Sequence, residues 1–131
     1  MKRFAAFVIL IAIIFSICGC SKTKVSTNAD VTLKFYFLEN EIEAVLSEDE
    51  ATKVIAILDG KTYSPLSSGV PSCGFDKNIS LTVGNHTYAI ARDTCNCIQD
   101  LGNLRFFDIP QEDMAYIHRL FEKYGGHFPC I

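Results

Sequence analysis

The chain has 131 residues, 49% of them hydrophobic and 21% charged, with six cysteines, no Trp and a formal net charge of -3. That length suits one domain with a single core and is too short for two. Beyond the first 20 residues, whose only charges are Lys2 and Arg3, ten Lys plus Arg face 15 Asp plus Glu, a formal -5 that argues against nucleic acid as a partner and against attraction to anionic headgroups.

Lys2 and Arg3 precede an apolar run, Phe4 to Ile17, broken only by Ser16. This is the order of a secretory leader, and the run is shorter than the roughly 20 apolar residues of a spanning helix. Ile17-Cys18-Gly19-Cys20-Ser21 follows: an aliphatic residue, a tolerant position, a small residue and a cysteine. The segment resembles the lipobox of bacterial lipoproteins, and the resemblance covers only the leader and one residue beyond Cys20. It implies cleavage by signal peptidase II before Cys20 and a fatty-acylated diacylglycerol thioether on the Cys20 sulfur. Two acyl chains anchor stably where one is marginal. Cys18 is the rival acceptor, but it puts bulky Ile17 directly before the cleavage point, where Gly19 is the small residue such sites prefer.

The organisation that follows is a signal peptide over residues 1–19, a lipidated Cys20 with a flexible tether to residue 29, and one domain over 30–131. The tether is read from Lys22 to Ala29, a short polar stretch without hydrophobic period.

In the domain, Val31, Leu33, Phe35 and Phe37 alternate with polar or amphipathic residues, which predicts a strand, and Ile42, Ala44 and Leu46 repeat the pattern after a turn at Glu39-Asn40. Ser47 and Glu50 match a capping box for a helix running to about Leu58, with Ala51, Val54, Ile55 and Leu58 on one face. Residues 61 to 76 form a long irregular loop in which Tyr63, Leu66, Val70 and Phe75 are interspersed among turn formers, a composition suited to a contact loop or to a disulfide-tied cover over the core. Ile79, Leu81 and Val83, then Gly84-Asn85, then His86 to Arg92 predict a hairpin in which Val83 faces His86, Leu81 faces Tyr88 and Ile79 faces Ile90. Leu104 to Asp108 is a short last strand. Pro110 opens a second helix with Met114, Ile117, Leu120, Phe121 and Tyr124 on one face, ended by Gly125-Gly126. The expected fold class is α+β: a small antiparallel sheet of four to five strands, order β-β-α-β-β-β-α, with two helices on one face and disulfide staples.

Cys73, Cys95, Cys97 and Cys130 remain after the lipidation site, an even set in a small exported domain, for which disulfides are the default. A bridge between Cys95 and Cys97, with only Asn96 between, would be strained, so both reach outward: Cys73 with Cys95 and Cys97 with Cys130, or the crossed pairing. The competing use is a zinc or copper site built from these four thiols with His86 or His127. A redox role is disfavoured, because the Cys-x-Cys here is not the Cys-x-x-Cys of a helix N-terminus and precedes a turn.

No catalytic residue and no cofactor is assigned. Ser67, Ser68 and Ser72 lie in a loop without a nucleophile elbow, and no glycine-rich phosphate loop is present. His86 with Asp93 or Asp108 is the only acid and histidine pairing to consider for a small hydrolase. Glu39, Glu41, Glu43, Glu48, Asp49 and Glu50 form an acidic run without a compensating base nearby in sequence. The function these observations imply is a lipid-anchored extracytoplasmic binding module, of inhibitor or immunity type or an envelope component. Its partners are the membrane, through the anchor, and another envelope or secreted protein, at the cell membrane or outer membrane.

Overall fold

Alternation sets the first three strands. In the computed structural model, which describes residues 21–37, 39–125 and 128, Val31, Leu33 and Phe35 of β1 (Val31–Phe37) are at most 1% exposed, while Thr32, Lys34 and Tyr36 face the other way. β2 (Asn40–Val45) returns beside it, with Leu33 opposite Ala44 and Phe35 opposite Ile42. The capping box forms as the sequence requires: Glu50 N–H donates to Ser47 Oγ and Ser47 N–H to the Glu50 carboxylate, opening α1 (Glu48–Leu58). α1 carries the chain across the sheet to β3 (Ile79–Val83), which pairs antiparallel with the other side of β1.

The β3–β4 hairpin has the expected register at Leu81–Tyr88 and Val83–His86, with β4 spanning His86–Ile90. Its two-residue turn needs the positive φ of Gly84, +59°. The sheet then gains a strand not expected from the sequence, β5 (Cys97–Asp100), before β6 (Arg105–Asp108), so six strands run in the order β2-β1-β3-β4-β5-β6 with every pair antiparallel. The chain order is therefore β-β-α-β-β-β-β-α. The Cys-x-Cys segment does not precede a turn; its second cysteine begins β5, where only four residues with an acid facing the core carry too weak a period to read.

α2 (Gln111–Gly125) starts after Pro110, whose carbonyl accepts from Asp113 and Met114 N–H. Val54 and Leu58 of α1 and Ile117 and Phe121 of α2 are fully buried in one core with Leu33, Leu81, Ile90, Ile98 and Phe107. Both helices thus cover the same sheet face. The opposite face is covered at the β5–β6 end by loop 61–76, which places Cys73 and Phe75 against Ala91, Cys97 and Phe106. Gly126, expected to help end α2, lies outside the described residues.

The helices run antiparallel and are tied at one end. Glu50 accepts from Lys123 Nζ and Tyr124 OH, each at 2.6 Å, and Lys53 Nζ lies 3.9 Å from the Tyr116 ring centre further along. The acidic run is therefore partly compensated from a distance, by Lys123 on Glu50 and by Lys34 at 3.7 Å from Glu41. The Lys123 and Tyr124 bonds hold the Glu50 carboxyl down at about 2, from its ordinary 4.5. A lowered folded value stabilises above the unfolded one, so this contribution is complete above about pH 4.5 and fades as pH falls toward 2. Unfolding midpoints of the wild type and Glu50→Gln, followed from pH 7 to 2, are expected to differ above that window and to converge within it.

Candidate functional site

The segment 21–29, read from its polar composition as a flexible tether, is bonded into the domain instead. Thr23 is 1% exposed; its N–H donates to Lys61 O at 2.8 Å and its carbonyl accepts from Gly60 N–H at 3.0 Å. Its hydroxyl donates to Leu58 O at 2.6 Å and accepts from Lys61 N–H at 2.7 Å. Leu58 is the last residue of α1, so Thr23 satisfies a carbonyl that the helix end leaves without an internal partner. Val25 adds a core side chain, and its N–H donates to Asp59 Oδ1 at 2.9 Å. Composition misled here because the anchoring is done by one threonine and one isolated valine.

The clamped segment forms one wall of an open cleft of about 440 Å3, lined by Ser21, Lys22, Lys24, Tyr63, His86, Tyr88 and Asp100 among others. Asp100, 4% exposed, accepts from Tyr63 OH at 2.6 Å on one oxygen and from Gly102 N–H at 2.9 Å on the other. Burial, then the neighbouring Asp100 carboxylate, pushes the Tyr88 hydroxyl up to about 12, and the same two causes raise Tyr63. Both phenols therefore stay protonated at neutral pH and offer no base. Arg105 joins the wall to the sheet: its Nη1 donates to Ser21 Oγ, its Nη2 to Ser64 O at 3.1 Å, and its guanidinium carbon lies 4.8 Å from the Tyr63 ring centre.

No local pattern predicts this cleft, because Tyr63 and Asp100 stand 37 positions apart and nothing local links them. Of the residues considered for a hydrolase, only His86 reaches it. Asp93 lies in the bend beyond the far end of β4 from His86, and Asp108 closes the end of β6 opposite Cys97. Ser67 and Ser68 lie in a short 3-10 turn (Leu66–Ser68) with exposed side chains, and Ser72 is also exposed.

Of the four domain cysteines, Cys73 and Cys95 form a disulfide. Cys97, expected in a second bridge, is a free buried thiol on the sheet face away from the helices, and Cys130 lies outside the described residues. Phe128 packs on the helix side, stacked on His118 with ring centres 3.8 Å apart, whereas Cys97 points into the opposite layer. Burial, then Asp108, pushes the Cys97 thiol up to about 12, so the thiolate that a metal or an oxidant needs is disfavoured. Cys73, Asp93 and Cys95 place their donor atoms within 4.8 Å of one another, but the two sulfurs are bonded together and Asp93 accepts from Cys95 N–H at 2.8 Å. A metal site here would require reduction of the bridge. His127 lies outside the described residues, and His118 is held below its ordinary value by burial, opposed by Glu122.

No protein-family model, no curated protein and no solved structure matches this chain. The fold defines a small α+β domain with a Cys73–Cys95 disulfide, in which the buried Asp100 in the cleft is engaged by Tyr63 and Gly102. Among the described residues no helix is long and apolar enough to cross a membrane.

Proposed function

We propose that the protein is a lipid-anchored extracytoplasmic lipoprotein whose domain acts by binding another envelope or secreted protein. The sequence around Cys20 carries the reading: an apolar leader runs up to Gly19-Cys20, and Ser21, the residue after it, bonds into the fold through its carbonyl, which accepts from Tyr63 N–H. The Cys73–Cys95 bridge fits an oxidising compartment. Binding is favoured over hydrolysis because Asp100 has both oxygens occupied and neither Asp93 nor Asp108 lies on the part of the sheet that carries His86.

The protein contact is assigned to the free edge of β2, where Val45 is 65% exposed and Glu41 and Glu43 face solvent. The edge of β6 is partly covered, since Ser64 N–H donates to Phe106 O at 2.7 Å. An exposed edge offers unpaired backbone groups to an incoming strand. In one experiment, cells expressing the wild type or Cys20→Ala, each with a photo-crosslinking residue at Val45, are grown with a fatty-acid analogue. The wild type is expected to take up label, remain with membranes and capture a discrete envelope or secreted protein, and Cys20→Ala to lose the label and leave the membrane. Labelling of Cys20→Ala contradicts the anchor, and absence of any captured protein contradicts the binding role.

A further inference from the structure

Leu66, Val70 and Leu104 are the most exposed large hydrophobic residues described, at 82%, 79% and 67%, and all three line one groove with Arg105. Leu104 also has a φ of +58°, the one positive value at a non-glycine position among the described residues. A bulky side chain in that region is strained, and Asn or Gly is the relaxed choice for such a turn. The fold gains no core contact from the three side chains, and apolar groups gathered at one exposed place mark an interaction surface.

This corner adjoins Ser21, the residue after Cys20 in sequence. Arg105, which lines the groove, bonds Ser21 and the Ser64 carbonyl, and Ser21 is one peptide, about 3.8 Å between Cα atoms, from Cys20. Because Thr23 and Val25 are fastened to Leu58, Asp59 and Lys61, no free linker separates that cysteine from the corner. Acyl chains on Cys20 would enter a bilayer beside Leu66 and Leu104.

Charge is divided the same way, although the net charge is negative. No Asp or Glu occurs from Lys61 through Phe75, and Lys22 and Lys24 stand exposed next to Ser21, with Lys22 bridged to Thr62. Asp59 accepts from Val25 N–H and Asp100 is buried under Tyr63, while Asp108, at the other end of β6 from Leu104, is exposed. Glu41 and Glu43 sit on β2, five strand spacings or about 24 Å across the sheet from β6. Lysines beside an apolar patch reach headgroups while the patch enters the interface.

We propose that this corner is a bilayer-contact surface: Leu66, Val70 and Leu104 enter the interface of a phospholipid membrane next to the lipidated cysteine, with Lys22, Lys24 and Lys61 at the headgroups. The proposal rests on the lipid-anchor reading and deepens it, because the domain then lies against the membrane in one orientation, with the β2 edge turned outward.

The absence of Trp allows a clean test. Full-length Leu66→Trp and Val45→Trp proteins, purified from envelopes and scored for the fatty-acid label, are reconstituted into phosphatidylethanolamine and phosphatidylglycerol vesicles carrying brominated acyl chains. Leu66→Trp is expected to show blue-shifted emission, quenched about twofold or more, and Val45→Trp water-like emission with little quenching. Val70→Trp is the second reporter should Leu66→Trp fail to unfold cooperatively. Labelled protein with Leu66→Trp unquenched, or quenched no more than Val45→Trp, overturns the surface and leaves the anchor standing. Unlabelled protein that is still quenched at residue 66 overturns the anchor and keeps the surface, and unlabelled, unquenched protein overturns both.

Discussion

Thr23→Val is expected to destabilise the domain by about 2 to 4 kcal/mol, although it lies in a stretch whose composition reads as linker. Valine keeps the volume and removes the hydroxyl, which leaves Leu58 O and Lys61 N–H without their 2.6 and 2.7 Å partner in a site where Thr23 is 1% exposed. Each buried group left unpaired costs about 1 to 3 kcal/mol. For a domain of roughly this size each kcal/mol is worth about 4 to 8 °C, so thermal unfolding should shift down by roughly 10 °C or more. Thr23→Ser, which retains the hydroxyl, should recover most of the loss. A Thr23→Val protein that melts with the wild type would mean that residues 21–29 do not clamp the end of α1.

Removing the Cys73–Cys95 bridge is the second large effect. The two residues are 22 apart in sequence and close a ring that contains the β3–β4 hairpin, so the bridge restricts the unfolded chain and fixes Cys73 and Phe75 over Ala91, Cys97 and Phe106. The Cys73→Ala, Cys95→Ala double variant is expected to lose about 2 to 4 kcal/mol, read from the denaturant midpoint. The wild type treated with reductant should fall to about the same midpoint. Cys97 is the internal control: it should resist alkylation in the native wild type and react once the cover is lost. Identical midpoints with and without the bridge, or fast native labelling of Cys97, would contradict this account of the loop.

Much of the fold is legible because it follows local rules. The capping box at Ser47 and Glu50, the turn at Gly84-Asn85 and the apolar faces of both helices each depend on residues within a few positions of one another. Two features escape such rules. β5 has Cys97 and Gln99 toward one layer and Ile98 and Asp100 toward the other, and a buried acid breaks the alternation that would mark a strand. The clamp at Thr23 and the Tyr63–Asp100 bond join residues more than 30 positions apart, where only the folded chain brings them together.

The same reasoning accounts for the disulfides. Even cysteine count and spacing favour two bridges, but they carry no information on which sheet layer each sulfur enters. Cys97 begins a strand and points away from α2, so it is isolated from the helix layer in which Phe128 packs. Leu66 and Val70 are legible as the apolar members of a contact loop of turn formers, but that Leu104 joins them is not, since it belongs to a turn on the far side of β5.

On the proposed function, Cys20 carries the lipid anchor one residue before Ser21, which is bonded to the domain. Intact mass of the protein purified from envelopes without reductant, followed by mapping of its first peptide, tests it most directly. The expected result is a mature chain that begins at Cys20 with a diacylglycerol on its sulfur and retains the Cys73–Cys95 bridge. An unmodified Cys20, or a chain that keeps its apolar leader, would contradict it.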